Sequence, residues 1–258
     1  MELLAPSHWK SVDFISDLHL QASNPLTFAC WEAYLQRTQA QAVFILGDLF
    51  EVWVGDDVLR EPQAFETRCS EVLAQAALQR TLYLMPGNRD FLLGHALAKA
   101  SGCHLLDDPT VLVFGATRWT LSHGDALCTA DHEYMEFRAM VRSERWQADF
   151  MAKPLPQRQA LARQIRTASE AKKHQVVAAN MDVDQLAVAR LLEQTGAKTL
   201  IHGHTHQRAD HVLEDGRHRL VLSDWDLDGH STRCEVLRLH LDAQFPQPQV
   251  ERRQPSQC

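Results

Sequence analysis

Five short strings in this chain carry residue types that bind metal ions: Asp17-Leu18-His19, Gly47-Asp48, Gly87-Asn88-Arg89-Asp90, Ser122-His123-Gly124-Asp125 and Gly203-His204-Thr205-His206. Carboxylates, an amide and imidazoles are oxygen and nitrogen donors. That mixture suits manganese, iron or zinc, not a soft thiolate centre. In the pairs Asp17/His19 and His204/His206, one intervening residue lets both side chains reach one site from a turn or an irregular strand end. The adjacent glycines let the backbone turn sharply and approach a ligand closely. Taken singly, each string has an ordinary explanation as a cap, a turn, a surface pair or a satisfied buried histidine. All five, each behind a strand-like run, form a joint pattern that chance rarely produces.

The elements that must hold these strings are legible as apolar runs. Strands are expected at 12–16, 42–46 and 81–85, stopping at Asp17, Gly47-Asp48 and Pro86-Gly87-Asn88. Amphipathic helices are expected between them, at 28–37 and 66–79. Further short strands are expected at 111–114, 119–122, 199–201, 218–222 and 235–241, with a hairpin around Asp215-Gly216. Strand, helix, strand spacing implies α/β layering. In open α/β sheets, ligand groups gather beyond the carboxyl ends of the strands.

The middle of the chain, 129–184, lacks strand-like runs and is rich in Arg, Lys, Gln and Ala. It reads as a helical insertion, broken into two parts at Lys153-Pro154-Leu155-Pro156. Residues 1–128 and 185–243 then form one core domain, and 244–258, with Pro246, Pro248 and Pro255, a loose tail. At 258 residues, 45% hydrophobic and 23% charged, the chain has ordinary globular composition, which excludes disorder and coiled coil. No apolar run approaches the ~20 residues of a membrane span. Glu2, Pro6, His8 and Lys10 interrupt any signal-peptide core, so a cytoplasmic protein is expected. The net charge of −7 argues against a nucleic-acid partner. Yet residues 138–173 hold nine Lys or Arg against three Asp or Glu, a local basic segment that suggests an anionic partner. The six cysteines are scattered without a CxxC and read as reduced thiols.

The order DxH, GD, GN, H and GHxH, matched by Asp17/His19, Asp48, Asn88, His123 and His204/His206, resembles the calcineurin-like metallophosphoesterases from about Val12 to Asp228. Arg89 stands where most of that superfamily has histidine. With the strings 47–53, 55–57, 87–94 and 201–206, it makes the chain similar to one branch, the UDP-2,3-diacylglucosamine hydrolases of lipid A biosynthesis. The resemblance implies a four-layer α/β/β/α sandwich with a helical cap insertion. It implies two metal ions, usually manganese: Asp17, His19, Asp48 and His206 hold one, and Asp48, Asn88, His123 and His204 the other, Asp48 bridging. The reaction it implies is attack of metal-activated water on the α-phosphorus of the lipid-linked nucleotide sugar, giving UMP and 2,3-diacylglucosamine 1-phosphate.

The same resemblance assigns catalytic roles to Asn88 and Arg89 and substrate contacts to Asn88, Arg89, His204, Asp131 and Ser169. The branch has Asn and then Lys shortly after that serine. Lys173 and Val176 occupy those places here, and Lys172 or Lys173 stands in for the lysine. A diacylated substrate implies peripheral attachment to the anionic cytoplasmic face of the inner membrane, and no protein partner is implied.

Three residue-level alternatives stay open. Arg89 either stabilises charge spread over two phosphates or pairs with Asp90 or another surface carboxylate. Trp146, Phe150, Met151 and Leu155 either pack an amphipathic helix on the core or line an acyl-chain cap, with Arg158, Arg163 and Arg166 on a basic edge. Trp53 is either core or chamber wall. Two rivals are another dimetal phosphodiesterase or phosphatase of the superfamily and a catalytically dead scaffold. Arg89 and the basic-apolar insertion argue against the first, and the presence of all seven ligand candidates argues against the second.

Overall fold

The computed structural model describes residues 1–173, 182–242, 244–245 and 247–258, and the side chains of 167–173 lie outside that description. In chain order the strands are β1 (Glu2–Leu4), β2 (Ser11–Ile15), β3 (Ala42–Leu46), β4 (Thr81–Met85), β5 (His104–Leu105), β6 (Thr110–Phe114), β7 (Thr117–Ser122), β8 (Thr199–His202), β9 (Ala209–Val212), β10 (His218–Val221), β11 (Val236–His240) and β12 (Gln249–Arg253). The α-helices are α1 (Pro25–Arg37), α2 (Phe65–Ala77), α3 (His95–Ser101), α4 (His132–Val141), α5 (Glu144–Met151), α6 (Leu155–Lys173) and α7 (Gln185–Thr195).

Two six-stranded sheets form, in the orders β12-β11-β2-β3-β4-β5 and β1-β6-β7-β8-β10-β9. The central strands are apolar on both faces because both faces are covered. On β3, Val43 and Ile45 face α1 and α2, while Ala42, Phe44 and Leu46 face the second sheet. Phe14, Phe44 and Tyr83 are partners in register on β2, β3 and β4. Their rings stack at 5.1 and 4.7 Å between the sheets. A third cluster joins Val188 and Leu192 of α7 to Leu200 of β8, so α7 covers the outer face of the second sheet. The result is the expected α/β/β/α sandwich. Strands β2, β3 and β4 run parallel, as do β7 and β8, so each set delivers its carboxyl ends to one edge.

Several expectations need correction. The insertion holds three helices before residue 173, not two parts. Helix α4 stops at Val141, and Ser143 caps α5 by accepting from the Trp146 N–H, a break that its residue type signals but no proline marks. The chain end is not loose: β12 pairs antiparallel with β11 over five residues. Its prolines flank the strand and leave the ladder N–H groups intact. Arg158 is not on a solvated edge. It is 1% exposed, and its guanidinium donates to the Val54 carbonyl and the Asp57 carboxylate on the loop after β3. Trp53 is core: it is buried, packs on Phe50 at 4.6 Å and donates to Asp56.

Candidate metal centre

The carboxyl ends of β2, β3 and β8 turn through a backbone conformation that L-residues avoid. Asp17, His19, Asp48, His204 and His206 all have left-handed φ, between 48° and 68°. Among the described residues, Ala116 is the one other non-glycine residue with positive φ. Such a residue costs roughly 1–3 kcal/mol and persists where surrounding structure enforces it. Here the enforcing contacts are visible. The Asp17 carboxylate accepts from the His204 N–H at 2.9 Å and from Ser16 Oγ at 2.5 Å. A Cβ on Gly203 would fall 2.3 Å from Asp17 Oδ2, and one on Gly87 would fall 2.1 Å from Asp48 Oδ1, so both positions demand glycine.

The strand ends bring all seven ligand candidates together in two halves. In one half, His19 Nε2 and His206 Nε2 lie 3.2 Å apart, and His206 Nε2 is 3.5 Å from Asp17 Oδ1. In the other, Asn88 Oδ1 lies 2.8 Å from His123 Nε2 and 2.9 Å from His204 Nδ1. Asp48 stands between, with Oδ2 3.9 Å from His19 Nε2 and Oδ1 3.7 Å from His123 Nε2. The donor atoms of Asp17, His19 and His206 lie within 4.8 Å of one another, as do those of Asp17, Asp48 and His123. Buried oxygen and imidazole donors in such clusters fit divalent cations.

The electrostatics agree with that fit. Burial raises the Asp17 carboxyl, but His206, His123 and His19 outweigh it and hold the group far below the usual carboxylate range. Burial disfavours protonation of His123, yet Asp48, Asp17 and Asp125 overcome this and raise it to about 9. Burial and the neighbouring His123 push His204 down to about 3. Carboxylates and imidazoles clustered this closely present the charge and donor atoms that a divalent cation would bind.

Arg89 lies at the rim of this cluster and does not pair with Asp90. Its Nη1 is 3.7 Å from Glu51. Asp90 points inward, fully buried, and accepts from the N–H groups of Gly87 at 2.7 Å and of Asp48 and Phe50 at 3.3 Å. It thereby ties the two ligand loops together, and burial, then the nearby Asp48, raises it to about 7. Asp131 is exposed and caps α4, accepting from the Tyr134 N–H at 3.0 Å. Ser169, Lys172 and Lys173 fall where side chains lie outside the described residues, and Val176 lies outside them altogether.

Sequence reasoning missed the groups that hold the ligands. Glu51 lies 2.9 Å from His19 Nδ1, and Asp224 lies 3.6 Å from His206 Nδ1 while gripped by Arg233. Asp125 accepts from Tyr134 Oη at 2.6 Å and Arg138 at 2.8 Å, which docks α4 beside His123. Glu51 and Asp125 sit two or three residues beyond a ligand, and that proximity was the available signal. Asp224 follows β10 without any motif mark.

These features define a metallophosphoesterase centre, and the chain belongs to the calcineurin-like phosphoesterase family, whose model matches residues 10–208. Within that family the chain is similar to the UDP-2,3-diacylglucosamine hydrolase of Aromatoleum aromaticum, at 45% identity covering 86% of this chain and 92% of that protein. The Chromobacterium violaceum protein of the same name is 45% identical, covering 83% and 90%. That of Pseudomonas aeruginosa is 40% identical, covering 92% and 99%.

Proposed function

We propose that this enzyme hydrolyses the pyrophosphate bond of UDP-2,3-diacylglucosamine, giving UMP and 2,3-diacylglucosamine 1-phosphate for lipid A synthesis. Relatives bearing that name across nearly their whole length support the substrate. The observation that carries the chemistry is Asp48, placed between two ligand clusters with one oxygen toward each.

Asp17, His19, Asp48 and His206 would hold one Mn²⁺, and Asp48, Asn88, His123 and His204 the other. Two such cations lower the pKa of a bound water and neutralise phosphate oxygens. The water oxygen ends on UMP, and the bond broken joins the α-phosphorus to the bridging oxygen. The leaving group is a phosphate monoester, which departs without needing a proton. Arg89 fits that departure better than the histidine of other branches, because a fixed guanidinium can grip charge spread over two phosphates. Asn88 and His204 turn toward the same reacting phosphate. Asp131, Ser169 and Lys173 are the remaining substrate contacts that the family pattern assigns. The Tyr134 ring stacks on His204 at 5.9 Å and closes one side of the cluster.

The cap rests on the core through aromatic contacts. Trp146 meets Phe91 at 6.0 Å and stacks on Phe150 at 4.7 Å. Met140 of α4, Met151 of α5 and Ile165 of α6 are 40–50% exposed, and Arg145 of α5 and Arg163 of α6 are exposed as well. No helix among the described residues is long and apolar enough to cross a membrane. In this reading the acyl chains of the substrate and the basic residues of the cap bring the protein peripherally to the anionic cytoplasmic face of the inner membrane.

The test is incubation with UDP-2,3-diacylglucosamine and Mn²⁺, followed by mass spectrometry. UMP and the diacyl sugar 1-phosphate are expected, with loss of turnover on chelation. Asp48→Ala should abolish nearly all turnover and lower bound metal. Normal turnover with full metal content in that variant would refute the bridging role.

A further inference from the structure

Glu51 is 8% exposed and lies three residues beyond Asp48. Its carboxylate meets groups from three separate parts of the chain. Oε2 is 2.9 Å from Nδ1 of His19. Oε1 is 3.7 Å from Nη1 of Arg89 and 3.2 Å from Nε of Arg166. Arg166 belongs to α6, and its Nη1 also reaches Gln21 Oε1 at 3.4 Å, two residues past His19.

One guanidinium is enough to balance one carboxylate. Two, plus an imidazole, make Glu51 a shared partner for which the three groups compete. The carboxylate meets Nδ1 as a close charge contact without an aligned hydrogen bond, behind a ring whose Nε2 faces Asp48 and His206. A carboxylate in that position fixes the ring and raises its basicity as a ligand, and removing it typically weakens metal affinity about 10–100-fold. Arg166 draws on the same carboxylate from the cap helix. Arg158, two turns earlier on α6, clamps Val54 and Asp57 of the same loop, so α6 is held against the loop that carries Glu51.

We propose that Glu51 is a positioning residue that couples the cap helix to the metal site, holding His19 and Arg89 in place and sensing α6 through Arg166. The proposal rests on the assignment of His19 as a metal ligand and Arg89 as a phosphate contact. In this arrangement a cap displaced by substrate releases Arg166 from Glu51. The carboxylate then acts more fully on His19 and Arg89.

The experiment is a double-mutant cycle read as Mn²⁺ affinity of the metal-stripped full chain, without substrate. The four proteins are wild type, Glu51→Gln, Arg166→Met and the double variant, each checked for an unchanged thermal midpoint. Glu51→Gln should weaken Mn²⁺ binding about 10–100-fold. Arg166→Met should tighten it about three-fold or more in the wild-type background and leave it unchanged in the Glu51→Gln background. Equal effects of Arg166→Met in both backgrounds would mean a through-space charge effect and overturn the coupling. Unchanged affinity in Glu51→Gln would overturn the positioning role. If Glu51→Gln does not fold, Glu51→Asp takes its place in the cycle, with the shorter acid expected to retain part of the affinity. The readout uses no substrate, so failure to hydrolyse UDP-2,3-diacylglucosamine would refute the proposed function and leave this result standing.

Discussion

At the residue scale, the departure at Arg89 is explained by what its neighbours do. Asp90 is occupied by three backbone N–H groups, so it is not available to a guanidinium. Arg89 instead leans toward Glu51 and keeps its fork at the rim of the metal cluster, with 18% of its side chain exposed. Arg89→Ala should lower kcat by roughly 10²–10³, the usual effect of removing one preorganised donor. Arg89→Lys should recover little, because an ammonium cannot supply two parallel N–H bonds. Bound metal measured alongside should not change. Equal turnover of the Lys variant and wild type would show that a point charge is enough.

At the scale of elements, two ion pairs pin the insertion, one near its middle and one near its C-terminal end. Arg158 of α6 is buried with its charge shared between Val54 O, Asp57 and the Lys153 carbonyl at 3.0 Å. Removing a buried guanidinium leaves those acceptors unpaired. Arg158→Ala should therefore speed proteolytic cleavage within α5 and α6 about ten-fold or more, while the sheets keep their hydrogen-exchange protection. Cleavage at the wild-type rate would show that the aromatic contacts alone hold the cap.

Asp182, just before α7, grips Arg219 of β10 through two bonds of 2.6 and 2.8 Å. Burial raises its carboxyl, but the bonds from Arg219 and from the Val183 N–H outweigh this and lower it. A depressed folded pKa stabilises the fold above the ordinary carboxylate value of ~3.9. That stabilisation is lost as pH falls through the folded value. Asp182 is partly exposed, so the contribution is only about 1 kcal/mol. Urea midpoints should separate wild type from Asp182→Asn at pH 7, and the gap should narrow progressively as pH falls below about 4. A gap that did not narrow at all on acidification would refute the ion-pair account.

At the scale of the molecule, the proposed peripheral attachment would pass a diacylated substrate from a membrane to a site at the shared edge of two sheets. Arg158 is buried and Arg166, 31% exposed, turns to Glu51, so the basic surface open to an anionic partner is smaller than the local charge count suggests. Arg145 and Arg163 are exposed on the cap, as are Met140, Met151 and Ile165. Each basic residue near an anionic surface contributes about 1 kcal/mol, screened by salt. The protein should sediment with anionic vesicles at low salt and release at high salt. Arg145→Glu with Arg163→Glu should weaken sedimentation and use of vesicle-embedded substrate. Turnover of a water-soluble short-chain analogue should stay within about two-fold. A parallel loss of all three would place these residues in the fold or the catalytic site instead.

Local chemistry made the strands and the ligand strings legible. Apolar runs such as 42–46 and 81–85 are two-sided because both faces are buried, and Asp, Asn and His follow them at short range. The ends of elements were less legible. Strand β12 forms because β11 offers an open edge, a partner that 249–253 cannot announce by itself. Likewise Trp53 became core and Arg158 became buried because their partners lie across the fold: the indole packs on Phe50, and the guanidinium reaches 101 residues back to Asp57. Beyond the nearness of Glu51 to Asp48, nothing in the sequence marks the roles of Glu51, Asp90 and Asp224, since a carboxylate becomes a support only when folding brings imidazoles and backbone donors to it. Residue type and spacing determined which atoms could bind metal. Only the stacking of two sheets decided that they meet, and which buried charges hold them there.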